Sequence, residues 1–137
     1  MKVLILSYTN LKNDPRPYRQ IKSLYQNVEV HTIGTSKSGL EKTFTKLIKN
    51  NFIIDAFRIL LLKLRLYDNY YWDNHKKKIL SGKNNSRYNL LIAHEIRLVP
   101  LALKLAKGSP VILDAHEYSP KNFDDSLIWR FFIKKYY

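Results

Sequence analysis

The stretch Tyr88–Tyr118, YNLLIAHEIRLVPLALKLAKGSPVILDAHEY, decides how the rest of the chain is read. Two short apolar runs, Leu90–Ala93 and Val111–Leu113, flank a segment in which Leu98, Leu101, Ala102 and Leu105 recur at helical spacing. Gly108 and Pro110 mark the end of that helix, since glycine tolerates a left-handed cap and proline cannot continue a helix. The unit is strand–helix–strand, and a helical crossover makes its strands parallel. Each strand ends in the same dipeptide, His94-Glu95 and His116-Glu117. Ligands of open parallel sheets bind outside the carboxyl ends of the strands, so both imidazole–carboxylate pairs are expected to face one cleft.

Working back from that unit, the first third reads as a second one. Lys2–Ser7 has the apolar, β-branched start of a buried strand, and Tyr8–Asp14 is a polar loop. Pro15 or Pro17 opens a helix, because the first turn has no partner for the missing N–H. Ile21 and Leu24 form its buried side, and Gln26-Asn27 stops it. Val28–Ile33 alternates and is expected to be a shorter strand nearer an edge. The fold class is therefore α/β: a Rossmann-like open parallel sheet with helices on both faces.

Between the two units, Leu40–Asn85 has a different character. Leu47–Tyr67 is apolar almost all round at helical spacing, with Asp55, Arg58 and Arg65 on one narrow side. Tyr67, Tyr70, Tyr71 and Trp72 follow, then Lys76-Lys77-Lys78. Cationic heads above an apolar helix, with aromatic rings close by, suit a helix lying in a membrane interface. Arg58, Lys63, Arg65, Trp72, Lys76, Lys77 and Lys78 are the expected membrane contacts. The alternative is a core helix with a solvated basic face. Ser126–Tyr137 has helix-like spacing and no stop signal.

The 137 residues suit one domain, and 45% hydrophobic content with four glycines suits a globular chain. No cysteine is present, so disulfides and thiolate metal sites are excluded. The apolar run at the N-terminus is too short for a secretory signal, and no stretch reaches the about 18 apolar residues of a membrane span. The net charge of +13 favours polyanionic partners: anionic lipid, nucleic acid or phosphorylated ligands.

Neither phosphate-cradling glycine motif occurs, so dinucleotide binding is not expected. His31, His75, His94 and His116 have no metal-ligand spacing, and no metal is expected. His94 and His116 stand apart from the other histidines because strand ends place them at the crevice, where imidazole can donate, accept or carry a proton. Glu95 and Glu117 suit capping of the following segments or binding of sugar hydroxyls. Asp114 suits burial against a backbone amide or an arginine. Asp14, Arg16 and Arg19 sit on the same rim; the arginines suit phosphate or carboxylate recognition, or an ion pair with Asp14 that fixes the loop.

NDPRPYRQIKSL after the first strand, VEVHTIG, and NLLIAHE…LALKLAKGSPVILDAHEYSP together resemble the N-terminal domain of family 4 GT-B glycosyltransferases. The resemblance covers Met1–Ile33, about Tyr88–Pro120 and the expected tail helix. In that family two Rossmann-like domains face each other; the C-terminal one binds a nucleotide-sugar donor, and the N-terminal one binds the acceptor and often docks on a membrane. The resemblance implies that His116 is the active-site histidine at the transferred sugar, that His94 and Glu95 line the acceptor side, and that Asp14 and Arg16 match the DPR of some members. The Gly-Gly that commonly follows the first strand is missing, and so is the donor domain, so this chain alone is expected not to catalyse transfer.

The expected function is thus the acceptor-binding part of a glycosyltransferase, peripheral on the cytoplasmic face of the membrane. Its partners would be a lipid-linked or glycan acceptor, anionic lipid, a donor-binding domain or separate subunit, and a possible second copy. No cofactor is expected beyond the nucleotide sugar on the donor side. The rival is a non-catalytic basic subunit that recruits a separate donor-binding chain. Nucleic-acid binding rests on charge alone.

Overall fold

The computed structural model describes residues 1–48, 61 and 64–115. Five strands form one sheet: β1 (Lys2–Leu6), β2 (Glu29–Gly34), β3 (Thr43–Lys46), β4 (Leu90–Ala93) and β5 (Val111–Leu113). Their order is β3-β2-β1-β4-β5, and every neighbouring pair is parallel. This is the Rossmann-like α/β sheet. The strand order reverses between β1 and β4, which makes the gap between their carboxyl ends the topological switch point.

Strand β1 is central because its residues are apolar on both faces; Val3, Leu4, Ile5 and Leu6 have no exposure at all. Helix α1 (Pro15–Leu24) links β1 to β2, moving one way along the sheet. A later helix, Val99–Ala106, links β4 to β5 and moves the other way. Two right-handed crossovers running in opposite directions put these helices on opposite faces. Side-chain alternation agrees: Val3, Ile5, Val30 and Ile92 form one core cluster with Ile21 of α1 and Leu11. Full burial of each such side chain stabilises by about 2 kcal/mol.

The ends of α1 follow from its sequence. Asp14 is extended, and its carboxylate accepts from the Arg16 amide at 3.1 Å. Pro15 occupies the first turn, and Tyr25 closes the helix through a bond to the Ile21 carbonyl. Between β3 and β4 come α2 (Tyr67–Tyr71) and α3 (Asn74–Gly82). Val99–Ala106, α4 here, ends on Lys107 in the left-handed region, followed by Gly108 at φ +92°.

Two expectations change. Strand β2 is internal rather than near an edge, because β3 pairs along its outer side. The connection between them is a short polar loop with no helix. Glu41 holds that loop: its carboxylate accepts from the amides of Ser38, Gly39 and Leu40 and from the Ser38 hydroxyl. Burial alone would raise the Glu41 pKa, but these bonds together hold it below the ordinary carboxylate value. Glu95 was expected to cap the helix after β4. Its side chain makes no capping bond; its carbonyl instead accepts from Leu98 and closes a 3₁₀ turn, Ile96–Leu98, before α4 begins at Val99. Pro100 in the first turn of α4 explains the later start.

The sheet lies in one compact unit, Met1–Lys49 with Lys78–His116, and α2 belongs to a second. In that second unit Lys76 is buried; its ammonium bonds Asp73 Oδ2 at 2.7 Å and the Tyr71 carbonyl at 3.0 Å, above the Tyr71 ring. The Tyr71 and Trp72 rings meet edge to face. Among the described residues no helix is long and apolar enough to cross a membrane.

Gly34, at the end of β2, is a point of close approach. A Cβ there would stand 2.8 Å from Leu11 Cγ. Gly34→Ala is expected to lower stability by about 1–3 kcal/mol, the cost of overpacking a filled core, as read from denaturant midpoints. Acid sensitivity comes from the opposite end of the sheet. His31 bonds Glu29 at 3.0 Å and Thr43 at 2.6 Å, with Tyr88 edge-on to its ring. Burial pushes the His31 pKa below its ordinary 6.5, although the Glu29 carboxylate pulls it upward. The Lys42 bond holds Glu29 below 4.5. Both native-state values are depressed, so the unfolded chain takes protons first and acid destabilises. The histidine contribution is complete above pH 6.5 and is lost as pH falls from there toward the depressed native value; that of Glu29 is lost below pH 4.5. The melting temperature should fall in these two stages, and His31→Gln should flatten the upper one.

Candidate functional site

The loop after β1 builds one wall of the switch-point crevice, and it closes on itself. Ser7 is fully buried; its hydroxyl meets that of Thr9 at 2.7 Å and accepts from the Thr9 amide. Asn10 accepts through Oδ1 from the amides of Lys12 and Asn13, while its carbonyl takes those of Asn13 and Asp14. A glycine-rich loop would leave such amides for a pyrophosphate; here Ser7, Asn10 and Asp14 take them. The alternative reading of Asp14, an ion pair with Arg16 or Arg19, gives way to the helix cap on the Arg16 amide. Arg19 donates from Nε to the Pro15 carbonyl at 3.0 Å, and both Arg16 and Arg19 are exposed. Among the described residues the Arg16 guanidinium has no ion pair.

The opposite wall comes from β4 and β5. The sheet ladder runs one residue past each strand, with the His94 amide bonded to the Leu6 carbonyl and the Asp114 amide to that of Ala93. His94 and Asp114 are therefore held by backbone before any side chain is considered. Alternation puts both on the face of Ile92 and Ile112, toward α1. Gln20 of α1 meets them there. His94 Nε2 lies 2.9 Å from Gln20 Oε1, His94 Nδ1 lies 3.3 Å from Asp114 Oδ2, and Gln20 Nε2 lies 3.5 Å from that same carboxylate oxygen.

The burial of the pair is unequal. The His94 side chain is 2% exposed and that of Asp114 36%. The imidazole lies behind and the carboxylate in front, the reverse of the expected order. Among the described residues the Asp114 carboxylate meets His94 and Gln20. In the next turn Arg97 lies over the Tyr8 ring, 5.2 Å from its centroid, joining the β1 and β4 loops by a cation–π contact. Glu95, half-buried, stands between them in sequence.

The other expected residues divide in two. His116 and Glu117, and Arg58 and Lys63 of the expected membrane set, lie outside the described residues, as does the Ser126–Tyr137 segment. Arg65, Lys77 and Lys78 are exposed and Trp72 is half-buried. Lys76 is a correction: its ammonium is held by Asp73 and Tyr71 inside the protein, so it is not a surface cation. Gln20, Asp114, Tyr8 and Arg97 were missed as site residues. Tyr8 and Arg97 could have been found from their positions just past the two strands that flank the switch point.

Chemically, the crevice offers a carboxylate acceptor on an imidazole and cations on its rim. Among the described residues no group of three or more histidine, aspartate or glutamate side chains could hold a metal ion. Comparison with protein-family models, with curated proteins and with solved structures finds no match.

Proposed function

We propose that this chain is the acceptor-binding part of a glycosyltransferase, working at a membrane surface. One observation carries the reading: the first crevice loop contains no glycine and bonds its own amides, while the facing strand ends carry His94 and Asp114. Such a crevice is poorly suited to a pyrophosphate and well suited to a hydroxyl-rich ligand. The resemblance of the DPR and AHE…DAHE segments to family 4 GT-B enzymes supports the same class. In this reading a nucleotide sugar reaches the crevice from a facing domain or subunit. The acceptor oxygen bonds the anomeric carbon as that carbon's bond to the nucleoside diphosphate breaks, the hydroxyl proton passes to the departing diphosphate, and Arg16 offsets phosphate charge on a lipid-linked acceptor.

The net charge of +13 and the exposed Arg65, Lys77 and Lys78 support peripheral binding to anionic lipid at the cytoplasmic face. Co-sedimentation with phosphatidylglycerol-containing vesicles, against phosphatidylcholine alone, tests this part. Binding to the anionic vesicles should weaken with salt and in Lys77→Ala/Lys78→Ala, at unchanged melting temperature. Lys76→Ala should instead lower stability by about 1–3 kcal/mol, because Asp73 Oδ2 and the Tyr71 carbonyl lose the ammonium they share. Equal partition to both vesicle types would sink the membrane assignment.

The sugar part is tested by amide-shift mapping with n-octyl β-D-glucopyranoside below its micelle concentration. Shifts should gather at Ser7–Arg16 and His94–Arg97. Shifts confined to other regions would overturn it.

A further inference from the structure

We infer that Arg97 is the phosphate-binding side chain of the crevice, aimed by the ring of Tyr8, and that its ligand is the single phosphate group of an acceptor ester. The assignment rests on the reading of this crevice as an acceptor site and names the contact for the charged end of that acceptor.

At the end of a parallel sheet a phosphate is met by backbone amides or by side chains. Here the first course is closed. The amides of Thr9, Lys12, Asn13 and Arg16 already donate to the side chains of Ser7, Asn10 and Asp14. Side chains are left. Arg97 stands in the turn after β4, and its guanidinium carbon lies 5.2 Å from the centre of the Tyr8 ring, in the loop after β1. The two residues bridge the pair of strands at which the sheet order reverses, the place where an open parallel sheet receives its ligand.

The charge of Arg97 is available there. The residue is exposed, and among the described residues no carboxylate pairs with it. Asp14 is engaged in the helix cap, and Asp114 faces His94 and Gln20. The π face of Tyr8 attracts the cation but takes none of its in-plane N–H donors. Two parallel N–H groups match two oxygens of a phosphate, whereas a neutral hydroxyl would leave the positive charge unmatched. The ring also biases a long side chain toward one placement, which reduces the rotamer freedom lost when the phosphate arrives.

The test titrates the whole chain with inorganic phosphate at constant ionic strength, balanced by chloride, and follows amide shifts, the Arg97 Nε–H signal and the melting temperature. Saturable shifts should gather at Tyr8 and Ile96–Leu98. Arg97→Ala should weaken phosphate binding by about tenfold or more, the scale of lost hydrogen bonds to a charged group. Arg97→Lys keeps the charge without the fork and should recover little of that loss. Tyr8→Leu should weaken binding, and Tyr8→Phe, which keeps the ring face, should restore it; a tyrosine that merely supports the fold would show no such difference at matched melting temperature. Parallel co-sedimentation with phosphatidylglycerol vesicles separates a membrane headgroup from a phosphate in the crevice: a defect of Arg97→Ala on vesicles alone would make Arg97 a membrane contact and overturn the assignment. No saturable phosphate shift, or wild-type affinity in Arg97→Ala or Arg97→Lys, would also overturn it, and n-octyl β-D-glucopyranoside shifts still at Ser7–Arg16 and His94–Arg97 would leave the acceptor site standing. Absence of both probes' shifts from the wild-type crevice would overturn the site and the assignment together.

Discussion

The structure depends on the complete enclosure of β1. A strand that pairs on both edges and is covered on both faces must be apolar at every position, and Val3–Leu6 meets that demand without exception. Its burial forces the order of the sheet to reverse beside it, because the two crossovers leave in opposite directions. The reversal creates the crevice. Function, in this fold, is located by the most buried strand rather than by any surface feature.

What sequence could reveal was set by how local each signal is. Strands β1, β4 and β5 are contiguous apolar runs bounded by polar residues, proline or glycine, and they were read with near-correct limits. Strand β3 has only Thr43–Lys46, half-exposed, inside a polar segment, and periodicity over four residues carries little weight. Missing it made β2 look peripheral. Asp14-Pro15 announced α1 through the proline, but the aspartate has an identical sequence context whether it caps a helix or pairs with Arg16. Only backbone geometry separates the two.

The crevice divides along the same line. His94 was legible because it ends a strand. Its partnership with Gln20 was not, since the contact spans 74 residues and leaves no local pattern. The lysine run shows the converse problem. Lys76, Lys77 and Lys78 are equivalent as letters, yet each step along a helix turns by about 100°. That rotation puts Lys76 beside Asp73, three residues back, and leaves the other two in solvent.

The closed loop after β1 has a thermodynamic meaning beyond the ligand it disfavours. Its turns are tied by Ser7, Asn10 and Asp14, and it is anchored by Leu11 against Gly34, so its shape does not depend on an occupant. A ligand arriving at this wall has no chain to order, and the binding free energy it gains there is not diminished by lost backbone entropy. Adaptation to different ligands must then come from side chains on the rim, where Arg16, Arg19 and Arg97 can change rotamer while the wall beneath them stays as it is.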